Sequence, residues 1–158
     1  MQQLDHNTES RADVRVRVSV ILQRPEDNKL CLVRHFKNNK RYWLLPGGGQ
    51  DAMEPAIKTA QRELYEELRL TASHFELAFV RESMNPQTNR HIQFLVFKAI
   101  IDDFSRIAKG DDKRVEGYDF FSADELADIT IYPAMKEDII DFARGNSPQL
   151  FKTLDWIP

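Results

Sequence analysis

GGGQDAMEPAIKTAQRELYEELRL, residues 47–70, is the stretch that decides the fold of this chain. At about 100° per residue, a helix places Glu63, Glu66 and Glu67 within roughly one third of its circumference. Like charges at this spacing weaken a helix by about a few tenths of a kcal/mol per pair. A bound divalent cation would offset the repulsion, and a solvated acidic face is the alternative interpretation.

The other side of this helix carries an apolar stripe at helical spacing: Ile57, Ala60, Leu64 and Leu68. The acidic stripe is rotated by roughly 100° from it, so the carboxylates flank the buried face instead of lying opposite to it. Carboxylates at the edge of a core can line a cleft. This placement favours the interpretation as a cation site.

A short strand and a glycine loop are predicted to precede the helix. Tyr42 to Leu45 reads as a strand that Pro46 ends, and three glycines follow. Glycines let the backbone adopt positive φ and approach a ligand closely. Pro55 suits the first turn of a helix, where its missing N–H costs nothing. The predicted unit is strand, glycine loop and acidic helix.

This unit resembles the Nudix box of the Nudix hydrolases, the MutT-like pyrophosphohydrolases. The box has Gly, five residues, Glu, seven residues, Arg-Glu, an aliphatic residue, any residue, Glu-Glu, any residue, Gly and an aliphatic residue. The matching positions here are Gly48, Glu54, Arg62, Glu63, Leu64, Glu66, Glu67 and Leu70. Only Arg69 departs, because the family has Gly there to end the helix. The departure removes no ligand but leaves the shape of the turn open.

The resemblance implies an activity and a cofactor. Nudix hydrolases cleave a nucleoside diphosphate linked to another group X into a nucleoside monophosphate and X-phosphate. Nucleoside diphosphate sugars and ADP-ribose are the expected type of substrate. Clustered carboxylates would repel a pyrophosphate, and Mg²⁺ or Mn²⁺ resolves this conflict because such hard cations bridge carboxylate and phosphate oxygens. The expected partner is thus a small nucleotide.

The resemblance also implies roles for individual residues. Glu63 and Glu67 would be metal ligands, joined by the backbone carbonyl of Gly47. Glu66 would bind a further metal or orient the water, and Arg62 would position a glutamate by ion pairing. Glu54 is expected to brace the glycine loop, and Gly48 is expected to contact the substrate.

The general base lies in the box of some family members and on a distant loop in others, and the sequence leaves both open. Glu116 is the candidate for a distant acid, with Asp111 and Asp112 behind it. A basic cluster precedes the glycine loop: Arg34, Lys37, Lys40 and Arg41. It is either a solvated loop or a contact for substrate phosphates, and Arg34 is the chosen phosphate ligand because a strand end holds it firmly.

Composition limits the class of protein. The chain has 158 residues, a hydrophobic content of 42%, a charged content of 30% and a net charge of −3. These values suit one folded domain, expected over residues 13–158, with residues 1–12 as a frayed terminus. No extended nucleic acid and no membrane is expected as a partner. The single cysteine, Cys31, permits no intramolecular disulfide and suits the cytoplasm, where we expect the protein.

The remaining elements predict an α/β fold, and the resemblance implies a Nudix-like α/β/α sandwich with a mixed β-sheet. Asp13 to Arg24 alternates valine with polar residues, which predicts a strand with one buried face. Lys29 to Phe36 is predicted as its hairpin partner. Later strands are expected at Phe75–Glu82, His91–Ile101 and Lys113–Phe121, with a turn over Ser83–Arg90 and a polar loop over Asp102–Asp112.

The C-terminal part is predicted to be helical, with an apolar tail. Ser122 and Glu125 have the spacing of a capping box, and Pro133 to Arg144 is amphipathic and ends before Gly145. The tail from Ser147 to Pro158 carries too much apolar surface to remain free. It is expected to pack on the body of the protein or on a second copy of the chain, which would make a homodimer.

Two other functions stay open at this point. The substrate could be a nucleoside triphosphate or a 5′-triphosphate RNA end, which needs only a local basic patch. The chain could also be a non-catalytic Nudix-fold module that binds nucleotides. Such a module would be expected to lose ligands, whereas Glu63, Glu66 and Glu67 are all present.

Overall fold

The computed structural model describes residues 13–157, so the predicted frayed terminus, residues 1–12, lies outside the described residues. These residues form eight strands, three α-helices and a 3-10 helix at Phe104–Arg106. The strands are β1 (Val14–Leu22), β2 (Leu30–Lys37), β3 (Lys40–Leu44), β4 (Gly47–Gly49), β5 (Ala72–Asn85), β6 (Arg90–Ile101), β7 (Val115–Phe121) and β8 (Phe151–Leu154). The helices are α1 (Ala56–Leu68), α2 (Ala123–Ala127) and α3 (Lys136–Ala143).

The larger of two sheets is mixed, with the strand order β4-β1-β6-β5-β8. Strand β1 runs parallel to β6, and β5 runs parallel to β8, while the other two neighbouring pairs are antiparallel. The glycine strand β4 lies at one edge and pairs with β1 at Arg17, Val18 and Ser19. This pairing fixes the glycine loop to β1 at the edge of the sheet.

The smaller sheet is antiparallel, with the order β3-β2-β7. The predicted hairpin between the first two strands is therefore wrong. The two sides of β1 are occupied by β4 and β6, and those of β2 by β3 and β7. The predicted turn does form, because Arg24 N–H donates to the Lys29 carbonyl over 2.9 Å, but it connects two sheets.

Helix α1 and helices α2 and α3 belong to two separate apolar cores. The first core joins α1 to Val18, Val20 and Leu22 of β1, and the second joins α2 and α3 to Ile21. Both faces of β1 are thus buried in its second half, so the prediction of one buried face is wrong there. The mixed sheet with helices on both sides confirms the predicted α/β sandwich.

Several predicted boundaries shift. Strand β5 begins at Ala72 and continues to Asn85, which leaves only residues 86–89 for the turn predicted over Ser83–Arg90. Helix α3 begins at Lys136 instead of Pro133. The capping box of α2 is confirmed, because Ser122 accepts from Glu125 N–H and the Glu125 carboxylate accepts from Ser122 N–H. Gly145 follows α3 in the left-handed region, with φ 82°.

The apolar tail packs on the body of the protein, which was one of the two predicted positions for it. Strand β8 pairs in parallel with β5, from Val80 opposite Phe151 to Ser83 opposite Leu154. The tail has no strand alternation strong enough to predict this pairing. Within residues 13–157, no helix is long and apolar enough to cross a membrane.

Candidate active site

Helix α1 brings two of its three glutamates into the protein. Ala60, Leu64 and Leu68 are fully buried, whereas Ile57, predicted to share their stripe, is 36% exposed. The acidic stripe flanks this core, so Glu63 and Glu67 are only 3% and 1% exposed. Glu66 stays partly exposed. The apolar packing of the helix thus forces two carboxylates into an environment that disfavours their charge.

The glycine strand β4 contacts both buried carboxylates. Gly47 N–H donates to Glu67 Oε1 over 2.8 Å, and Gly47 itself has φ 149°. A Cβ at Gly48 would overlap the Glu63 carboxylate, and one at Gly47 would overlap the Val18 carbonyl. A side chain at Gly48 would separate the loop from the helix, and one at Gly47 would separate it from β1. The predicted role of the Gly47 carbonyl as a metal ligand stays a prediction.

Arg62 connects the glutamates of the box to one another. Its Nε and Nη2 each donate to the Glu54 carboxylate over 3.0 Å, and Nη1 donates to Glu63 Oε1 over 2.9 Å. Nη2 also donates to the Gly49 carbonyl over 3.1 Å, which brings the end of the glycine strand into the network. Glu54 further accepts from Thr59 Oγ1 over 2.5 Å. Glu66 is more loosely held, at 3.4 Å from Arg62.

Burial dominates the electrostatics of the two inner carboxylates. It raises the pKa of Glu67 to about 8, against the opposing effect of the Gly47 N–H. It also raises the pKa of Glu63, which the neighbouring Arg62 partly offsets. Glu63 Oε2 and Glu67 Oε2 are buried and have no hydrogen-bond partner. Buried acceptors without a partner are costly, and a cation would satisfy them.

These carboxylates fit a divalent cation by donor chemistry, since hard cations bind oxygen ligands. Among residues 13–157, no group of three or more His, Cys, Asp or Glu side chains is already arranged as a metal site. Arg62 holds Glu63 and approaches Glu66, so two of the three carboxylates contact its guanidinium. The available ligand atoms are therefore Glu63 Oε2 and Glu67 Oε2, which lack hydrogen-bond partners, together with the nearby carboxylate of Glu66.

Comparison with known proteins identifies the family. The NUDIX domain matches residues 13–141 of the chain. The chain belongs to the Nudix family. Nudix hydrolases act on phosphorus-containing acid anhydrides and generally need a divalent metal, and this chain is a hydrolase of that class. Comparison with curated protein sequences gave no significant match.

Solved structures share this fold at low sequence identity. A MutT NUDIX hydrolase from Burkholderia pseudomallei has a TM-score of 0.69 and 22% identity, over 82% of this chain and 97% of that chain. A NUDIX hydrolase from Nitrosomonas europaea gives 0.73 and 18%, over 85% and 92%. A MutT protein from Bacillus halodurans gives 0.71 and 18%, over 91% of each chain. The likeness confirms the Nudix fold.

The loop after the 3-10 helix docks on the C-terminal end of the Nudix helix α1. Ala108 N–H donates to the Leu68 carbonyl over 3.0 Å, and Gly110 N–H donates to the Glu67 carbonyl over 2.9 Å. The last carbonyls of a helix lack partners within the helix, so the loop satisfies two of them. This docking fixes Asp112, whose charge contributes to the raised pKa of Glu67.

Three further residues of the Nudix site, Arg17, His35 and Arg114, were missed by sequence reasoning. The charges of Arg17 and Arg114 act on both Glu63 and Glu67, and Arg114 donates to both oxygens of Asp112. Burial lowers the pKa of His35 to about 4 and that of Arg17 below its usual range. The available signal was a charged side chain, Arg17, directly before the buried half of a valine strand.

The other predicted site residues lie in ion pairs. Glu116 is held by Arg41 at 3.0 Å and by Arg34 at 3.2 Å. Arg34 also lies over the Trp43 ring, 5.6 Å from its centroid. Asp111 pairs with Arg69. Of the three distant acids, Asp112 is among the main causes of the raised pKa of Glu67.

Proposed function

We propose that this Nudix hydrolase is an Mg²⁺- or Mn²⁺-dependent pyrophosphohydrolase of small nucleotides. It would cleave a nucleoside diphosphate linked to a group X into a nucleoside monophosphate and X-phosphate, with nucleoside diphosphate sugars and ADP-ribose as the simplest substrates. The observation that carries the proposal is the pair of buried carboxylates, Glu63 and Glu67, each with an oxygen that lacks a hydrogen-bond partner.

In the proposed reaction a water oxygen forms a bond to one phosphorus, and the bond from that phosphorus to the bridging oxygen breaks. The bound cation would polarise the phosphorus and lower the pKa of a water. Glu63 Oε2, Glu67 Oε2 and the Gly47 carbonyl would hold it, and Glu66 would bind a further metal or orient the water. A proton on Glu67 has to leave before a cation binds, so metal affinity should rise with pH up to about 8.

Arg62 would act as a positioning residue in this scheme. Its bonds to Glu54, Glu63 and the Gly49 carbonyl keep the glycine strand and the Nudix helix in one arrangement. For the distant acid, Asp112 has better support than Glu116, because its charge acts on Glu67. Comparison of kcat for Asp112→Asn and Glu116→Gln tests this ranking of the two acids. A larger loss of kcat in Glu116→Gln would favour Glu116 as the distant acid.

The test of the function is a substrate panel. ADP-ribose, nucleoside diphosphate sugars, dinucleoside polyphosphates and nucleoside triphosphates are each incubated with Mg²⁺, Mn²⁺ or chelator, and a phosphatase reveals monoester products. We expect metal-dependent cleavage of the nucleoside diphosphate compounds. Turnover of triphosphates alone would replace the proposal with the triphosphate alternative.

The variant Glu67→Gln tests the site itself. It should reduce turnover by at least about a hundredfold while nucleotide binding survives, because an amide is a poor ligand for a hard cation. Glu76→Gln, on an exposed part of β5, is the matched control and should retain full activity. Metal-dependent turnover that persists in Glu67→Gln would show that the assigned site is wrong.

A further inference from the structure

Most of the twelve arginines in residues 13–157 have a carboxylate partner. Nine of them lie within 4 Å of an Asp or Glu oxygen, and these are Arg24, Arg34, Arg41, Arg62, Arg69, Arg81, Arg106, Arg114 and Arg144. Within the same residues, Arg15, Arg17 and Arg90 have no such partner. Three arginines without a carboxylate partner are unexpected in a chain that has more acidic than basic residues.

The three arginines without partners line one groove of roughly 1030 Å³. The first half of β1 forms its floor, the segment from Gly49 to Glu54 forms one wall, and the β5–β6 turn forms the other. Lys37, at the end of β2, also lines the groove and pairs with no carboxylate among the described residues. Four cations thus converge on one concave surface.

Strand register explains this convergence. Arg15 and Arg17 project from the same side of β1, about 6.6 Å apart along the strand. Arg15 lies opposite Ile92 of the parallel strand β6, close to Arg90 at the start of that strand. Residues distant in sequence therefore meet only because β1 pairs with β6.

The four cations outnumber the three acidic residues that line the groove, which are Asp13, Asp51 and Glu54. Glu54 is committed to Arg62 and Thr59. Asp51 lies 3.6 Å from Arg62, and Asp13 lies at the end of the groove. Like charges on one surface repel each other, and an anion in the groove would relieve the repulsion.

The groove borders the Nudix box at Gly49 and Glu54, which both line it. Arg17 pairs in register with Gly49, whose carbonyl accepts from Arg62. The charge of Arg17 acts on both Glu63 and Glu67. An anionic chain in the groove would therefore lie beside the glycine strand and next to the Arg62 network of the box.

We propose that the groove lined by Arg15, Arg17, Lys37 and Arg90 is a binding site for a chain of phosphates. It holds the part of the substrate that extends beyond the cleaved anhydride, so a group X that carries further phosphates binds better than a neutral sugar. This inference rests on the proposed function for the identity of the substrate, but the anion site itself exists without turnover.

The first experiment measures binding of inorganic tripolyphosphate by calorimetry, in the presence of chelator. The double variant Arg15→Gln/Arg90→Gln removes two exposed cations and leaves Arg17, whose charge acts on Glu63 and Glu67, unchanged. The control Lys58→Gln/Lys98→Gln removes the same charge from exposed sites outside the groove. We expect binding that weakens with salt, a loss of about tenfold in the groove variant, and no comparable loss in the control.

Equal loss in both double variants, or no binding by the wild type, would overturn the inference. The second experiment compares kcat/KM for dinucleoside polyphosphates with two to five phosphates in the presence of Mg²⁺. We expect kcat/KM to rise with the number of phosphates in the wild type and the control, and to rise less in the groove variant. Turnover without this dependence would contradict the groove alone, whereas absence of all metal-dependent turnover would contradict the proposed function.

Discussion

Single glycines decide whether the loop and the Nudix helix can meet. A methyl group at Gly48 would overlap the Glu63 carboxylate, whereas one at Gly49 would meet nothing within 4 Å. We predict that Gly48→Ala displaces Glu63 and lowers kcat/KM by about a hundredfold, since a displacement of about 1 Å at a site can cost that much. Gly49→Ala should retain activity, and equal effects of the two changes would show that the Glu63 contact is unimportant.

His35 should make the stability of the protein depend on pH. Its pKa is about 4 in the folded protein, because burial disfavours the imidazolium, and about 6.5 in an unfolded chain. Between these values the unfolded state binds more protons, so stability is lost as the pH falls from 7 to 4.5. The contribution should be on the order of 1–2 kcal/mol, since the ring is partly exposed.

His35→Gln tests this dependence by thermal unfolding at pH 4.5 and 7, in the presence of chelator. The variant should lose less stability on acidification than the wild type. His74→Gln changes an exposed histidine of β5 and should follow the wild type. A parallel pH dependence in His35→Gln and the wild type would contradict the assignment.

The sequence could predict the part of the site that lies on one helix. Glu63, Glu66 and Glu67 share a face because of their spacing, and no tertiary information is needed for that. Arg17, Asp112 and Arg114 act on these carboxylates only because β1 and the loop before β7 are brought to α1. Such neighbours depend on strand pairing, which local patterns do not reveal.

At the scale of elements, Arg69 ends α1 in place of the family glycine. It adopts φ 57° and ψ 24°, and its N–H donates to the Tyr65 carbonyl over 3.1 Å. The left-handed conformation costs a non-glycine residue roughly 1 kcal/mol. The Arg69 side chain offsets this cost through the ion pair with Asp111 and its position over the Tyr65 ring, 4.8 Å from the centroid. The turn keeps the geometry that a glycine would give.

We predict that Arg69→Gly changes the free energy of unfolding by less than about 1 kcal/mol, because relief of strain and loss of contacts nearly cancel. Arg69→Ala keeps the strain but loses the contacts, and should destabilise the protein by about 1 kcal/mol more than Arg69→Gly does. Urea denaturation of both variants measures the difference. A glycine variant less stable than the alanine variant would contradict this account.

At the scale of the whole molecule, one buried ion network joins β5, α3 and β8. Arg81 is fully buried and donates to both oxygens of Asp138 over 2.9 Å. Lys152 of β8 donates to the same carboxylate over 2.8 Å. Removing one partner of a buried pair leaves an uncompensated charge, which costs about 3–5 kcal/mol.

Asp138→Asn should therefore lower the free energy of unfolding by about 3–5 kcal/mol in urea denaturation. Asp141→Asn, on the exposed side of the same helix, is the control and should stay within about 0.5 kcal/mol of the wild type. If the two variants are equally stable, Arg81 finds another partner and the network does not hold the C-terminal strand.

Fold class could be predicted from the sequence, but strand pairing could not. The valine alternation of β1 and the turn at residues 25–28 favoured a hairpin, since consecutive strands usually pair. The pairing of β1 with β6 instead depends on the long-range match of Val18, Val20 and Leu22 to the core under α1. Strand β8 was not predicted for a similar reason. It is a short edge strand, and it forms because it pairs with β5.

The Arg81 network also has a consequence for how the chain folds during synthesis. Asp138 emerges from the ribosome 57 residues after Arg81, and the Leu150 carbonyl that Arg81 also contacts emerges 69 residues after it. Until then the guanidinium has the Val80 carbonyl but no carboxylate to balance its charge, so β5 cannot enter the interior without a large penalty. The nascent chain should thus keep this half of the sheet open, and nascent chains arrested before Asp138 should remain sensitive to proteases in β5.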